Sequence, residues 1–183
     1  MRLFIAVPLP PGAEAETAEV LRHLRSLDWP VRWIRPEGIH VTLKFFGETS
    51  TDRVEAIAEA VDYAVRDTRP ITMSLHGAGV FPNTDKPRVI HLGIDADSGL
   101  ELLQDRLERS TEHLGFPPEG RMFRPHVTLG RVREGHRLPA GWQTELERIP
   151  PGEAFLADRV VLFESELTPE GPRYSIRHQV KLG

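Results

Sequence analysis

The chain contains no cysteine. That absence removes disulfide staples, thiolate zinc sites, iron–sulfur clusters and cysteine nucleophiles from the functions open to it. Long apolar runs are missing too, and no stretch approaches the roughly 20 residues a membrane-spanning helix needs. Net charge is −4, which excludes a protein that coats long nucleic acid through bulk positive charge. Neither a Walker-type glycine-rich loop nor a nucleotidyl-transfer lysine motif occurs, so ATP-driven ligation is disfavoured. Lysine is scarce: 20 of the 23 basic residues are arginine, whose planar fork suits phosphate oxygens. A bias toward arginine codons gives the same ratio, so only the clustering counts. Arg121, Arg124, Arg131, Arg133 and Arg137 face only Glu119 and Glu134 in that stretch, a modest pointer to a small anionic ligand.

What is present is an ordinary globular composition, 183 residues with 39% hydrophobic and 27% charged. A chain of this size buries roughly 70% of its unfolded surface, enough for a core without staples. We read it as one unit, residues 1–183, with no linker or low-complexity tract. The apolar start, Leu3 to Val7, reads as an opening strand rather than a signal peptide, because Pro8, Pro10 and Pro11 interrupt it and an acidic helical pattern follows. The expected address is the cytoplasm, the expected state a monomer with no membrane attachment.

Periodicity predicts helices over residues 12–27, from Ser50 or Thr51 through about Arg66, and over Leu100–Leu114. Strands are predicted at Leu3–Val7, Val31–Ile34, Ile39–Phe46, Ile71–Leu75, Gly79–Phe81, Arg88–Ile94, His126–Val132, Arg159–Glu166 and Tyr174–Leu182. Residues 134–149 read as loop with at most a short helix. Short turns between strands and interspersed helices make this an α+β arrangement rather than a regular βαβ winding.

One feature dominates. His40-Val41-Thr42-Leu43 and His126-Val127-Thr128-Leu129 are the same tetrapeptide, 86 positions apart, both in predicted strands. Residues two apart on a strand share a face, so each strand presents one imidazole and one hydroxyl together, with the valine and leucine turned to a core. The same alternation puts Lys44 and Phe46 on the His40 face. Phosphodiester cleavage needs a base for the attacking oxygen, an acid for the leaving oxygen and donors to the phosphoryl group. Two histidines serve both proton transfers near neutral pH, two threonines donate neutral hydrogen bonds, and Arg131 just beyond the second motif adds charge. No metal is expected: no His-Glu-x-x-His occurs, neither motif carries a carboxylate, and threonine is a poor zinc ligand. His23, His76, His91, His113, His136 and His178 lack a matching threonine and read as surface or structural residues.

These motifs and their flanks resemble the 2H phosphoesterases, and within them the RNA 2′,3′-cyclic phosphodiesterases first described as 2′–5′ RNA ligases. The likeness runs from Met1-Arg2-Leu3-Phe4-Ile5-Ala6 through Trp33 and His40-Val41-Thr42-Leu43-Lys44-Phe45-Phe46-Gly47-Glu48. It continues through Arg124-Pro125-His126-Val127-Thr128-Leu129-Gly130-Arg131 to the stretch from Leu162 to Tyr174. The resemblance implies a bilobal, duplicated fold with two antiparallel sheets facing a central cleft and helices outside. It also implies hydrolysis of a terminal 2′,3′-cyclic phosphate to a 2′-phosphate, without cofactor, on RNA ends or small cyclic nucleotides, some relatives also running 2′–5′ ligation. His40 and His126 are carried over as catalytic, in either order of acid and base, and Thr42, Thr128 and Arg131 as phosphate-binding. Phe46 joins them as a candidate base-stacking surface, although either Phe45 or Phe46 could be core and core is the favoured place for such a ring. A non-catalytic nucleotide- or RNA-end-binding domain of the same fold is the alternative.

Overall fold

The computed structural model describes residues 1–169 and 171–183. Its elements in chain order are β1 (Arg2–Pro8), α1 (Pro11–Ser26), β2 (Val31–Trp33), β3 (His40–Glu48), α2 (Val54–Val65), β4 (Ile71–Phe81), β5 (Val89–Ala96), α3 (Ser98–Glu112), β6 (His126–Val132), α4 (Trp142–Glu147), β7 (Ala154–Ala157), β8 (Arg159–Thr168) and β9 (Gly171–Lys181). Local chemistry explains most boundaries. Pro11 opens α1 with a pre-set φ. The Asp97 carboxylate accepts from the Gly99 N–H at 2.8 Å to cap α3, and Gly115 ends the following turn at φ +84°. The cap expected at Ser50 or Thr51 is replaced by a 3₁₀ turn, Thr51–Arg53, so α2 starts later with no side-chain cap. The expected break at Gly77 is a bulge instead: Gly77 takes φ +43° and β4 continues through it, its pairing with β5 shifted between His76 and Ala78. The short β7 has no counterpart among the expected strands.

All strands join one curled antiparallel sheet in the order β7-β4-β5-β6-β3-β1-β8-β9, with β2 added to β6. The two expected sheets are its two halves. They meet at β3 and β6, which pair at Val41 and Val127 alone. Those valines hold the same place in each motif, so a pseudo-twofold axis passes between them. It relates β6 to β3, β5 to β1 and β4 to β8. Helices α2 and α3 pack together behind β3, β8 and β9, while α4 lies against β4. Leu3, Ile5, Val7, Val41, Leu43, Val127 and Leu129 all enter one buried cluster on the helix side. Each such side chain contributes about 1.5–3 kcal/mol, and this burial holds the opposite faces of β3 and β6 toward the cleft. Among the described residues no helix is long and apolar enough to cross a membrane.

Candidate active site

Continuing the register one residue either side of Val41–Val127 sets His40 abreast of Thr128 and Thr42 abreast of His126. The four polar side chains thus share one face at the seam, with each imidazole diagonal to the other. Diagonal neighbours on adjacent strands lie about 7–8 Å apart at Cα, a span that leaves room for one phosphoryl group between two rings. The single Val41–Val127 pair brings the two motifs side by side.

Beyond each motif a bulge re-aims the chain. On β6 the pairing with β5 jumps from Thr128–His91 to Gly130–Ile90, skipping Leu129. The extra residue returns Arg131 to the histidine face, although strict alternation would send it to the core. Its exposed guanidinium adds to the lowering of the His126 pKa that burial causes and opposes the rise that burial gives Tyr174. Position 130 must be glycine here, since a Cβ would meet the Val31 side chain at 2.6 Å and that of Trp33 at 2.8 Å. On β3 the pairing with β1 skips Leu43 in the same way.

That second bulge overturns two expectations. Lys44 is not on the His40 face; it is 1% exposed, paired with the Glu108 carboxylate and donating to the Pro117 carbonyl at 3.0 Å. Phe46, the candidate stacking surface, also faces the helices, edge-on to Phe116 at 4.8 Å and packed on the core. Phe46 is itself the residue skipped between the Leu3 and Phe4 pairs. Phe45 takes the cleft-side place instead, abreast of Phe4 with ring centroids 5.8 Å apart.

The two imidazoles sit in different surroundings. His40 lies in an aromatic nest of Phe4 (4.8 Å), Tyr174 (5.4 Å) and Phe163 (6.1 Å). Burial drives its pKa down to about 4; the Gly38 backbone opposes this, and the nearby His126 adds to it. His126 is also lowered, by burial first and then by Arg131, against a hydrogen bond to Arg124. That bond defines the tautomer. The Arg124 carbonyl can only accept, so Nδ1 at 2.8 Å donates and the lone pair of neutral His126 is on Nε2.

Two residues of this site escaped the sequence reading. His91, abreast of Thr128, stacks on Phe81 at 4.0 Å and meets His126 edge-on at 5.4 Å. Its Nδ1 is buried without a hydrogen-bond partner, and burial, with His126 adding, lowers its pKa to about 4. Only the ladder register could have revealed it. Tyr174 closes over His40 from β9, and burial raises its pKa. Elsewhere His76 pairs with Asp95 at 3.0 Å and His178 with Asp62 at 2.6 Å, on the surface as expected. Among the described residues no three His, Asp or Glu side chains converge in a metal-binding arrangement.

Comparison with known proteins points one way. The model of the 2′-5′ RNA ligase superfamily matches residues 9–168. A Methanothermobacter thermautotrophicus protein named RNA 2′,3′-cyclic phosphodiesterase is 36% identical over 178 residues, covering 96% of this chain and 95% of its own. A crystal structure of a Thermus thermophilus protein superposes with a TM-score of 0.83 at 29% identity, over 100% of this chain and 98% of that one. Escherichia coli LigT complexed with 3′-AMP gives a TM-score of 0.73 at 27% identity, over 99% and 97%.

Proposed function

Because the chain belongs to the 2′-5′ RNA ligase superfamily, we propose that it is an RNA 2′,3′-cyclic phosphodiesterase that opens a terminal cyclic phosphate to a 2′-phosphomonoester. The observation that carries this reading is the seam at Val41–Val127, which puts two imidazoles and two hydroxyls on one face beside an arginine. In the proposed reaction, Nε2 of His126 takes a proton from water as the water oxygen attacks phosphorus. The bond from phosphorus to O3′ breaks, and His40 delivers a proton to O3′. Thr42, Thr128 and Arg131 stabilise the charge on the non-bridging oxygens. A 5′-hydroxyl taking the place of water forms a 2′–5′ linkage by the same steps, which accounts for ligation without ATP. Water or hydroxyl, base and acid complete the proton balance from side chains alone.

His40 must arrive protonated, and in the free site burial keeps it neutral. The phosphate anion supplies the missing charge. We take the enzyme as a cytoplasmic monomer acting on RNA ends or small cyclic nucleotides. The test is end-group analysis of an oligonucleotide bearing a 2′,3′-cyclic phosphate, with the His40→Ala/His126→Ala double variant alongside. A 2′-phosphate product lost in the variant is expected, each single change costing about 10²-fold or more. A 3′-phosphate product, or turnover by the double variant, overturns the mechanism; tight binding without turnover favours the non-catalytic alternative.

A further inference from the structure

The cleft face carries an imidazole that the proposed reaction leaves unused. His91 on β5 is abreast of Thr128, and Thr128 is abreast of His40 once the register at Val41–Val127 is continued. The pseudo-twofold axis pairs His91 with Ala6, abreast of Thr42, so only one half carries this ring. The fold makes a seat for it. Gly79 lies opposite on β4, where a Cβ would come within 3.0 Å of Cε1 and 3.1 Å of Nε2. Phe81, two residues on and hence on the same face, stacks on the ring with centroids 4.0 Å apart. His126 meets it edge-on at 5.4 Å. Nδ1 is buried and has no hydrogen-bond partner, so Nε2 is the nitrogen that the half-buried ring offers to the cleft.

A neutral imidazole carries one proton, and here it belongs on Nε2. An orphaned buried N–H is rare in folded proteins, whereas a bare buried ring nitrogen leaves only an unused lone pair. His126 is the opposite case, its Nδ1 proton held by the Arg124 carbonyl. Burial, with His126 adding, lowers the His91 pKa to about 4, so the ring stays neutral at pH 7. The Leu92 and Val80 backbone opposes this shift without closing a hydrogen bond on Nδ1. We infer that His91 is a further phosphate-binding residue, its Nε2–H donating to a non-bridging oxygen beside Thr128. This deepens the phosphodiesterase reading and rests on it for the identity of the ligand. The non-bridging oxygens gain negative charge as phosphorus becomes five-coordinate, and a donor set in place beforehand stabilises that charge. A second cation at this place would oppose proton uptake by His126, which Arg131 already opposes. A neutral donor does not.

The test compares the wild type with His91→Phe, which keeps a ring on Phe81 but removes the donor, and with His91→Gln, whose amide N–H donates without titrating. On adenosine 2′,3′-cyclic phosphate, kcat should fall about 10²-fold in His91→Phe and recover most of that loss in His91→Gln. The acid limb of the pH–rate profile should stay in place in both, and urea midpoints at pH 7 should not fall below the wild type. Imidazole ¹H–¹⁵N spectra should show His91 as the Nε2–H tautomer, that proton moving downfield when adenosine 2′-monophosphate binds. An unchanged kcat in His91→Phe, a loss as large in His91→Gln, or an acid limb displaced in step with the loss overturns the assignment. So does an Nδ1–H tautomer in the nucleotide complex. Should the wild type leave the cyclic phosphate intact, the phosphodiesterase reading fails instead. Affinity for adenosine 2′-monophosphate then decides His91 alone: about tenfold weaker in His91→Phe supports it, and equal affinity refutes it.

Discussion

Adding adenosine 2′-monophosphate at pH 7 should place a proton on His40. In the free protein burial holds this imidazole near a pKa of about 4, so at pH 7 roughly one molecule in 10³ carries the charge a general acid needs. Bringing the pKa to about 7 requires some three units, or about 4 kcal/mol at 1.36 kcal/mol per unit. One phosphate charge about 4 Å from the ring supplies ~4 kcal/mol at an effective dielectric of 20, so a single well-placed anion suffices. Imidazole ¹H–¹⁵N spectra across a pH titration, with and without the nucleotide, read the state of His40 directly. Linkage makes the effect reciprocal: between the free and bound pKa, binding takes up a proton, and this coupling weakens affinity about tenfold per unit rise in pH. A His40 that stays neutral in the complex at pH 7, in an enzyme that still turns over, refutes its role as the acid.

Acid should unfold the protein early. The folded pKa of His40 is depressed below that of the unfolded chain, so its stabilising contribution is complete above about 6.5 and is lost as pH falls toward 4, about 3 kcal/mol in all. His91 acts in the same direction; urea midpoints at pH 7 and 4.5 should differ less in His91→Phe than in the wild type. Lys44→Met should cost about 3–5 kcal/mol by leaving the buried Glu108 carboxylate unpaired, and adding Glu108→Met should restore much of it, while activity per folded molecule is retained. Arg131→Ala should lower kcat about 10²-fold with the fold intact, checked by steady-state kinetics and circular dichroism. Turnover should survive dialysis against a chelator, and its loss there contradicts proton transfer by side chains alone.

The motif pair was legible because a strand has a strict period of two. His40 and Thr42 must share a face, and so must His126 and Thr128, whatever the rest of the chain does. Three-dimensional adjacency of the pair was not written in either strand; it came from the resemblance, and the seam at Val41–Val127 shows how it is achieved. Alternation failed where bulges intervene. The skip at Leu43 exchanges the expected sides of Lys44, Phe45 and Phe46, and a second skip falls at Phe46 itself. Nothing in the composition around Leu43 marks the first bulge, whereas the second lies beside Gly47, which takes φ +69°. On β6, Gly130 was a visible hint, because glycine inside a strand often marks a bulge or a close backbone approach. His91 was unreadable for another reason: it reaches His126 through the β5–β6 register, a long-range pairing that no window of sequence contains.

A duplicated fold poses a chemical problem that the differences between its halves resolve. Two equivalent histidines have no reason to divide into acid and base, yet each cycle needs one of each. Around His126 stand Arg131 and a second imidazole, the neutral His91; burial already opposes a proton on His126, and the Arg131 charge opposes it further. Around His40 stand Phe4, Phe163 and Tyr174, and Ala6 occupies the place that His91 holds in the other half. Its chief penalty for a proton is loss of hydration, which a bound phosphate anion offsets. The arginine that opposes a charge on His126 remains beside it when substrate binds. In the proposed mechanism, phosphate binding therefore favours protonation of His40 over His126, leaving Nε2 of His126 free to accept from water. The division of labour proposed for the two rings follows from what replaces symmetry at three pairs of positions: Ala6 and His91, Phe4 and Val89, Phe45 and Arg131.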